Sequence, residues 1–555
     1  MTKRAALYTS FIVCFALAAF AANWISGTIV PAREALPPVL KSNRKVLLVP
    51  LDSRPPCTSF VADIGRIAGV EIMLPPSPLM DNYQQPADQY KLRQWLSDNF
   101  RQADAVIVAT DMLIHGGLLA SRHARGSDQD IADTLTLLRH IHEAAPEKPL
   151  YAFSIIPRLL LADSNEGKPW QKPLMNYSIL HDQVRIFENP VDIKKLHNLE
   201  LIIPPQFITR YQALYEQNLS VNKSLVDLVN QGVLARLVLG QDDGQPFGLP
   251  NQIKEKLSQY VLQSPAAEKI QITRGTDEVA LTLLGHYANY VRQYTPQVYV
   301  AWSHPSVPPM VMPFMPHSVI RTVEEKLTII GADAASSPQT ADFILYVHAG
   351  SRQTGPRQLA RAAMEIKELI AAGHQVAVVD LTENYFAQET LLPYCIQNGT
   401  DLTKLAAYAG WNTTSNSIGT ALTQAAAWSG RQRELEPKDM FGLYGLQLAF
   451  LLERFLDDWY FQKSIQPAIN AELRAVGANP YQLRTQYHRT AKRINRFLKN
   501  EADQLYRQVL ADRRIHMGGD EYRIISLTVS SSIPWDRTFE IDLIAVPSYV
   551  QIQKK

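Results

Sequence analysis

Four times along the chain a short run of apolar, largely β-branched residues ends at a carboxylate. LLVPL precedes Asp52, AVIVAT precedes Asp111, ARLVLGQ precedes Asp242 and Asp243, and VAVV precedes Asp380. Buried parallel strands read as continuous apolar runs because helices cover both faces, and the residues just past their carboxyl ends share one mouth. Any one of these acids is also an ordinary helix cap or turn residue. Recurrence at four equivalent places points to a pocket.

Strand-like runs at 46–51, 70–74, 105–109, 150–156, 236–239, 270–273, 298–302, 343–347 and 375–379 alternate with helical periodicity, clearest over 60–68, 131–144, 278–294, 319–330 and 359–372. This alternation predicts an α/β fold with a mostly parallel sheet. The number of βα units favours a barrel-like catalytic domain, with a doubly wound sheet followed by a second α/β domain as the alternative. From Arg433 the pattern changes to long amphipathic helices over 446–461 and 487–510. It then changes to alternating Tyr522, Ile524, Ser526, Thr528 and Phe539, Ile541, Leu543, which predicts an antiparallel β pair. The expected organisation is a leader at 1–22, a linker at 23–44, the α/β part at 45–430, a helical region at 431–515, and the β pair and tail at 516–555.

Charge alters this picture little. Lys and Arg number 55 against 53 Asp and Glu, a formal charge of +2, and no basic stripe exists beyond the mixed helical stretch at 489–499. A nucleic-acid partner is therefore not expected. The N-terminus matters more: Lys3 and Arg4 precede an apolar stretch over 5–22 in which Ala19-Phe20-Ala21 fits a small-x-small cleavage site. Export to the periplasm or beyond is expected. The alternative is an uncleaved membrane tether, since apolar residues continue through Trp24, Ile25, Ile29 and Val30. With Cys14 in the leader, Cys57 and Cys395 remain, too few for a disulfide framework or a zinc site.

The strand ends carry the chemistry. In PLDSRPP, Asp52 and Arg54 leave an extended chain on one face, and a guanidinium holds the direction of a carboxylate suited to orienting a substrate hydroxyl; an ion pair closing the turn is the structural alternative. In DMLIHGGLLASR, Gly116 and Gly117 permit close backbone approach to a ligand or to another segment, and Ser121 and Arg122 close the motif. In LVLGQDDGQPFG, two adjacent acids leave a strand end on different sides. One can accept a hydrogen bond while its neighbour delivers a proton, the division of labour that glycoside cleavage needs. GTDE adds Asp277 and Glu278, which also read as a helix start. In AGWNTTSNSIG, Asn412 and Asn416 lie four apart beside Trp411, amides and an indole of the kind that grip sugar rings. No metal or cofactor motif is present.

Taken in order, PLDSRPP, the Pro75-Pro76 pair, DMLIHGGLLASR, QDDG, GTDE and GWNTTSN resemble an uncharacterised bacterial domain-of-unknown-function family, from about Val46 to the C-terminal β pair. The resemblance brings no activity, substrate or catalytic residue. The acid pair alone is also similar to that of substrate-assisted N-acetylhexosaminidases, an analogy confined to one dipeptide. The expected function is an exported hydrolase, glycoside hydrolase-like, acting on envelope or extracellular carbohydrate. Asp243 is the candidate general acid and Asp242 its partner. Asp52, Arg54, Asp111, Gly116, Gly117, Arg122, Asp277, Glu278, Asp380, Trp411, Asn412 and Asn416 are the candidate binding residues. A non-catalytic binding protein for a sugar or anionic ligand is the main alternative, and metal-dependent hydrolysis by the carboxylates is a third.

Overall fold

The computed structural model of the chain describes residues 32–160, 168–411, 413–511 and 513–552. The expected leader and the first part of the linker lie outside these. Among the described residues no helix is long and apolar enough to cross a membrane.

After a short strand, β1 (Ala32–Ala35), the chain builds a first sheet from β2 (Arg44–Val49), β3 (Val70–Met73), β4 (Ala105–Ala109), β5 (Leu150–Ile156), β6 (Arg236–Gln241) and β7 (Ile270–Arg274). All pairings are parallel and the spatial order is β3-β2-β4-β5-β6-β7. Every position of AVIVA in β4 and of LYAFSII in β5 is buried, because helices pack on both faces. A second parallel sheet follows, from β8 (Gln297–Trp302), β9 (Asp333–Ala334), β10 (Phe343–Gly350), β11 (Val376–Thr382) and β12 (Ala407–Ala409), in the order β12-β11-β10-β8-β9.

The sheets are open, so of the two arrangements the periodicity allowed, the doubly wound sheet with a second α/β unit is correct and the barrel is not. A barrel would need the edge strands β3 and β7 to pair, and they do not. Counting units misled because periodicity reports the type of an element and not its partner. Both sheets share one topology: the first strand lies inside, with the second strand on one side and the third on the other. Connections thus diverge at the first strand, and such reversals leave a crevice outside the carboxyl ends.

Helix Thr414–Gln432 runs between the sheets, in contact with helix Val279–Arg292 and with β10 to β12. Its sequence, TSNSIGTALTQAAAWSGRQ, is rich in small residues and is buried along most of its length. Close approach requires them: a Cβ on Gly419 would strike the Glu278 side chain. C-terminal helices, among them Met440–Arg454 and Tyr487–Leu505, support a four-stranded antiparallel sheet of β13 (Arg514–Met517), β14 (Asp520–Ser532) and β15 (Asp542–Ile552) with β1. The sheet is larger than the expected pair, and Phe539 and Ile541 precede β15 rather than belonging to it. That connection, residues 533–541, reaches back to the mouth of the first sheet.

Candidate active site

Loops from the carboxyl ends of all six strands, β2 to β7, surround a cavity of about 540 Å3. Phe314 and Met315 from the second sheet's connections, Thr413 and Asn416 from the start of helix Thr414–Gln432, and Trp535, Arg537 and Phe539 close its sides. The walls are dominated by arginine and aspartate.

At the base of the β2 loop, Arg54 joins two acids. Its Nη2 lies 2.6 Å from Asp52 Oδ2 and 2.6 Å from Asp277 Oδ1, and Nε donates to Asp52 at 3.0 Å. Asp52 is fully buried behind this bridge and off the cavity wall, whereas Arg54 and Asp277 line it. Asn416 donates to Asp277 Oδ2 at 3.2 Å. Asp52 and Asp277 belong, with Cys57, to the one metal-ligand grouping among the described residues. Arg54 already bridges the carboxylates, and burial pushes the Cys57 thiol up, which keeps it protonated. This set does not suit a cation.

The Asp242-Asp243 pair sits at the end of β6 as the pattern of acids predicts. Arg122 grips Asp242 through Nε at 2.8 Å and Nη2 at 2.7 Å, both on Oδ2. The other oxygen, Oδ1, accepts the backbone N–H of Asp243 at 2.8 Å. Asp243 is differently placed: its side chain is 36% exposed, and Arg158 approaches it only to 3.4 Å. Burial, then repulsion from Asp242, push its carboxyl up to about 6, against the pull of Arg158 and Arg122. The loop is tied across the cavity by Gly244, whose N–H donates to Phe314 O at 3.1 Å. Phe314 holds a left-handed φ of 63° there, a strained conformation for a bulky residue and one that recurs at functional sites.

The other expected binding residues divide. Gly116 lines the cavity, but both glycines are needed for protein packing: Gly116, at φ 87°, abuts Pro86 and Ala87, and Gly117, at φ 122°, abuts Asp81. Asp111 is buried beneath the wall, accepts Ile155 N–H at 2.9 Å, and is pushed up to about 7 by burial. Glu278 is not a ligand group; it is locked to Lys326 at 2.6 Å and accepts from Ser415. Asp380 lies in the other sheet, where Leu391 N–H, Leu392 N–H and the Tyr408 hydroxyl converge on it. Trp411 is core, edge-on to Phe60 with ring centroids 6.1 Å apart, so its face is not offered to a sugar. Asn412 lies outside the described residues.

Asp81, Arg158, Arg274, Trp535 and Arg537 also lie on the cavity wall and are outside the motifs that the sequence pattern singles out. Asp81 accepts Ser53 N–H at 2.7 Å and is raised by burial and by Asp52. Arg158 and Arg274 follow or end apolar strands, so extending the strand-end rule to bases would find them. Asp81 lies eight residues past the end of β3, too far for the strand-end rule, and Trp535 reaches the site only through long-range packing.

No curated protein matches the chain. A family model described as "Protein of unknown function (DUF4127)" matches residues 46–544. That span covers both parallel sheets, every wall of the cavity and the start of β15, and the chain belongs to this family.

Proposed function

We propose that this cavity is the active site of a hydrolase that cleaves glycosidic bonds, with Asp243 as the general acid. The observation that carries the reading is the contrast between adjacent carboxyl groups: Asp242 is committed to Arg122 and a backbone N–H, while Asp243 is pushed up to about 6 and reaches the cavity. An acid poised near the working pH delivers a proton to a leaving oxygen with the greatest effect. Both oxygens of Asp242 are engaged, which suits it to orienting a substrate group or to stabilising positive charge at the ring rather than to attacking carbon. An acetamido group placed against Asp242 would then supply the internal nucleophile. Trp535, Tyr481 and Phe314 give the cavity apolar faces of the kind sugar C–H surfaces stack on. With the apolar stretch at 5–22 taken as an export signal, the substrate is envelope or extracellular carbohydrate.

The test is turnover of a panel of aryl glycosides and aryl N-acetylhexosaminides by the chain from Asn23 onward, wild type beside Asp243→Asn. Activity in the wild type and a loss of about 10²–10⁴-fold in a folded variant is expected. Equal activity in the two would refute the role of Asp243. A second reading, a binding protein without turnover, is supported by the number of arginines on the wall and would show itself as affinity with no hydrolysis.

A further inference from the structure

Arg274, the last residue of β7, is 2% exposed and lies on the cavity wall, yet among the described residues no acid forms an ion pair with it. Its Nη2 meets His317 Nε2, while Nε and Nη1 have no partner among the described residues. His317 is pushed down to about 4 by burial and by Arg274 itself, so at pH 7 its neutral ring can accept from the guanidinium but brings no negative charge. Glu325 acts on the Arg274 charge from a distance but forms no ion pair with it: Oε2 accepts the Thr273 hydroxyl at 3.1 Å and the Arg274 backbone N–H at 3.2 Å, and Oε1 faces Arg321 at 3.7 Å. A desolvated guanidinium without a direct ion pair is expensive, and proteins seldom keep one without a use.

Two neighbours point the same way. The backbone of Arg274 is held by Ser415 Oγ, which places it beside the start of helix Thr414–Gln432. No side chain caps that end among the described residues, and Thr413 and Asn416 at that end share the cavity wall with Arg274, which adds the positive end of the helix dipole to this wall. The Gln241 side chain, level with Arg274 on the adjacent strand, also leaves Oε1 unpartnered. Around the cavity, six arginines outnumber four aspartates, and Arg125, like Arg274, has no salt bridge among the described residues. Such a wall concentrates anions.

We propose that the sugar bound here carries an oxyanion, a carboxylate or a phosphate or sulfate ester, seated on Arg274 at the start of helix Thr414–Gln432, with a hydroxyl donating to Gln241. The assignment rests on the glycoside reading for the identity of the ligand as a sugar. Arg274 is a specificity residue and takes no part in proton transfer.

The experiment is calorimetric binding of glucuronic acid, glucose 6-phosphate, glucose 6-sulfate and glucose to the wild-type chain, Arg274→Lys and Arg274→Met. At least one acidic sugar is expected to bind at least tenfold more tightly than glucose, and the arm with the greatest gain identifies the oxyanion. Arg274→Met is expected to erase the gap, and Arg274→Lys to retain part of it. Because the methionine removes a buried charge without a direct ion pair, the melting temperature without sugar is expected to hold or rise, a readout independent of binding. Glucose binding as tightly as every acidic sugar, no binding of any acidic sugar, or a preference intact in Arg274→Met would overturn the proposal. Acidic sugars bound through Arg274 with no glycoside ever cleaved would refute the hydrolase and leave this site standing. Cleavage of neutral glycosides with no acidic preference would do the reverse.

Discussion

At the carboxyl ends of the first sheet, Arg54, Asp242, Asp243 and Asp277 face a common cavity; at the same ends of the second sheet, His348 and Asp380 are consumed by the protein. The two sheets share a strand order, and each has a reversal beside its first strand. In the second, Ser303 Oγ and His348 Nδ1 lie 2.9 Å apart, His348 Nε2 meets Glu389 O at 2.8 Å, and Asp380 takes two backbone N–H groups and a tyrosine hydroxyl. Topology therefore supplies a crevice twice, and titratable side chains line an open cavity at one of them. Asp242 and Arg54 are also paired within the protein, so what separates a site from a scaffold is that some polar atoms at the strand ends stay open, as at Asp243, Arg274 and Gln241.

Substitutions can break this comparison from either side. The largest stability effect is expected for Arg122→Gln, which strands buried Asp242 without its counter-ion; a loss of about 3–5 kcal/mol in urea unfolding follows from breaking such a pair, together with loss of turnover. Asp380→Asn turns an amide towards two backbone donors and is expected to cost about 1–3 kcal/mol while leaving kcat and KM of the folded protein unchanged. A fall in kcat there would mean that the second sheet takes part in catalysis. A smaller change is expected for Arg158→Gln. Arg158 draws the Asp243 carboxyl down, so its removal lets that carboxyl rise, keeps the acid protonated to higher pH, and moves the alkaline limb of the kcat/KM profile upward by a fraction of a unit. A downward move would contradict the assigned sign. The smallest effect is expected from a chelator, since Arg54 already bridges the acids of the one cation-like grouping; loss of activity in chelator would shift the mechanism to a metal.

The same contrast explains what the amino-acid pattern could and could not reveal. Asp242 and Asp243 are legible because a continuous apolar run ends at them, and the run reflects burial on both faces of β6. Asp380 follows an equally good run and is no ligand group, because the N–H groups of Leu391 and Leu392 that claim it fold back from a helix start no strand pattern records. Trp411 looks the same in sequence whether its ring faces a sugar or Phe60. Arg274 was legible in principle, at the end of β7, but its significance lies in the lack of an ion pair among the described residues, a property of the fold. Trp535 lies 481 positions from Arg54, over which its ring sits at 5.2 Å, and only tertiary packing brings them together. The choice between open sheets and a barrel rests likewise on which strand meets which.

The central claim is that Asp243 donates a proton to the leaving oxygen, and it is tested most directly by varying how much the leaving group needs that proton. With kcat/KM measured for wild type and Asp243→Asn on alkyl and dinitrophenyl glycosides of the same sugar, the variant is expected to lose orders of magnitude on the alkyl substrate and little on the dinitrophenyl one. Equal losses on both would contradict the account, because a residue that only shapes the site cannot distinguish a leaving group that needs protonation from one that does not.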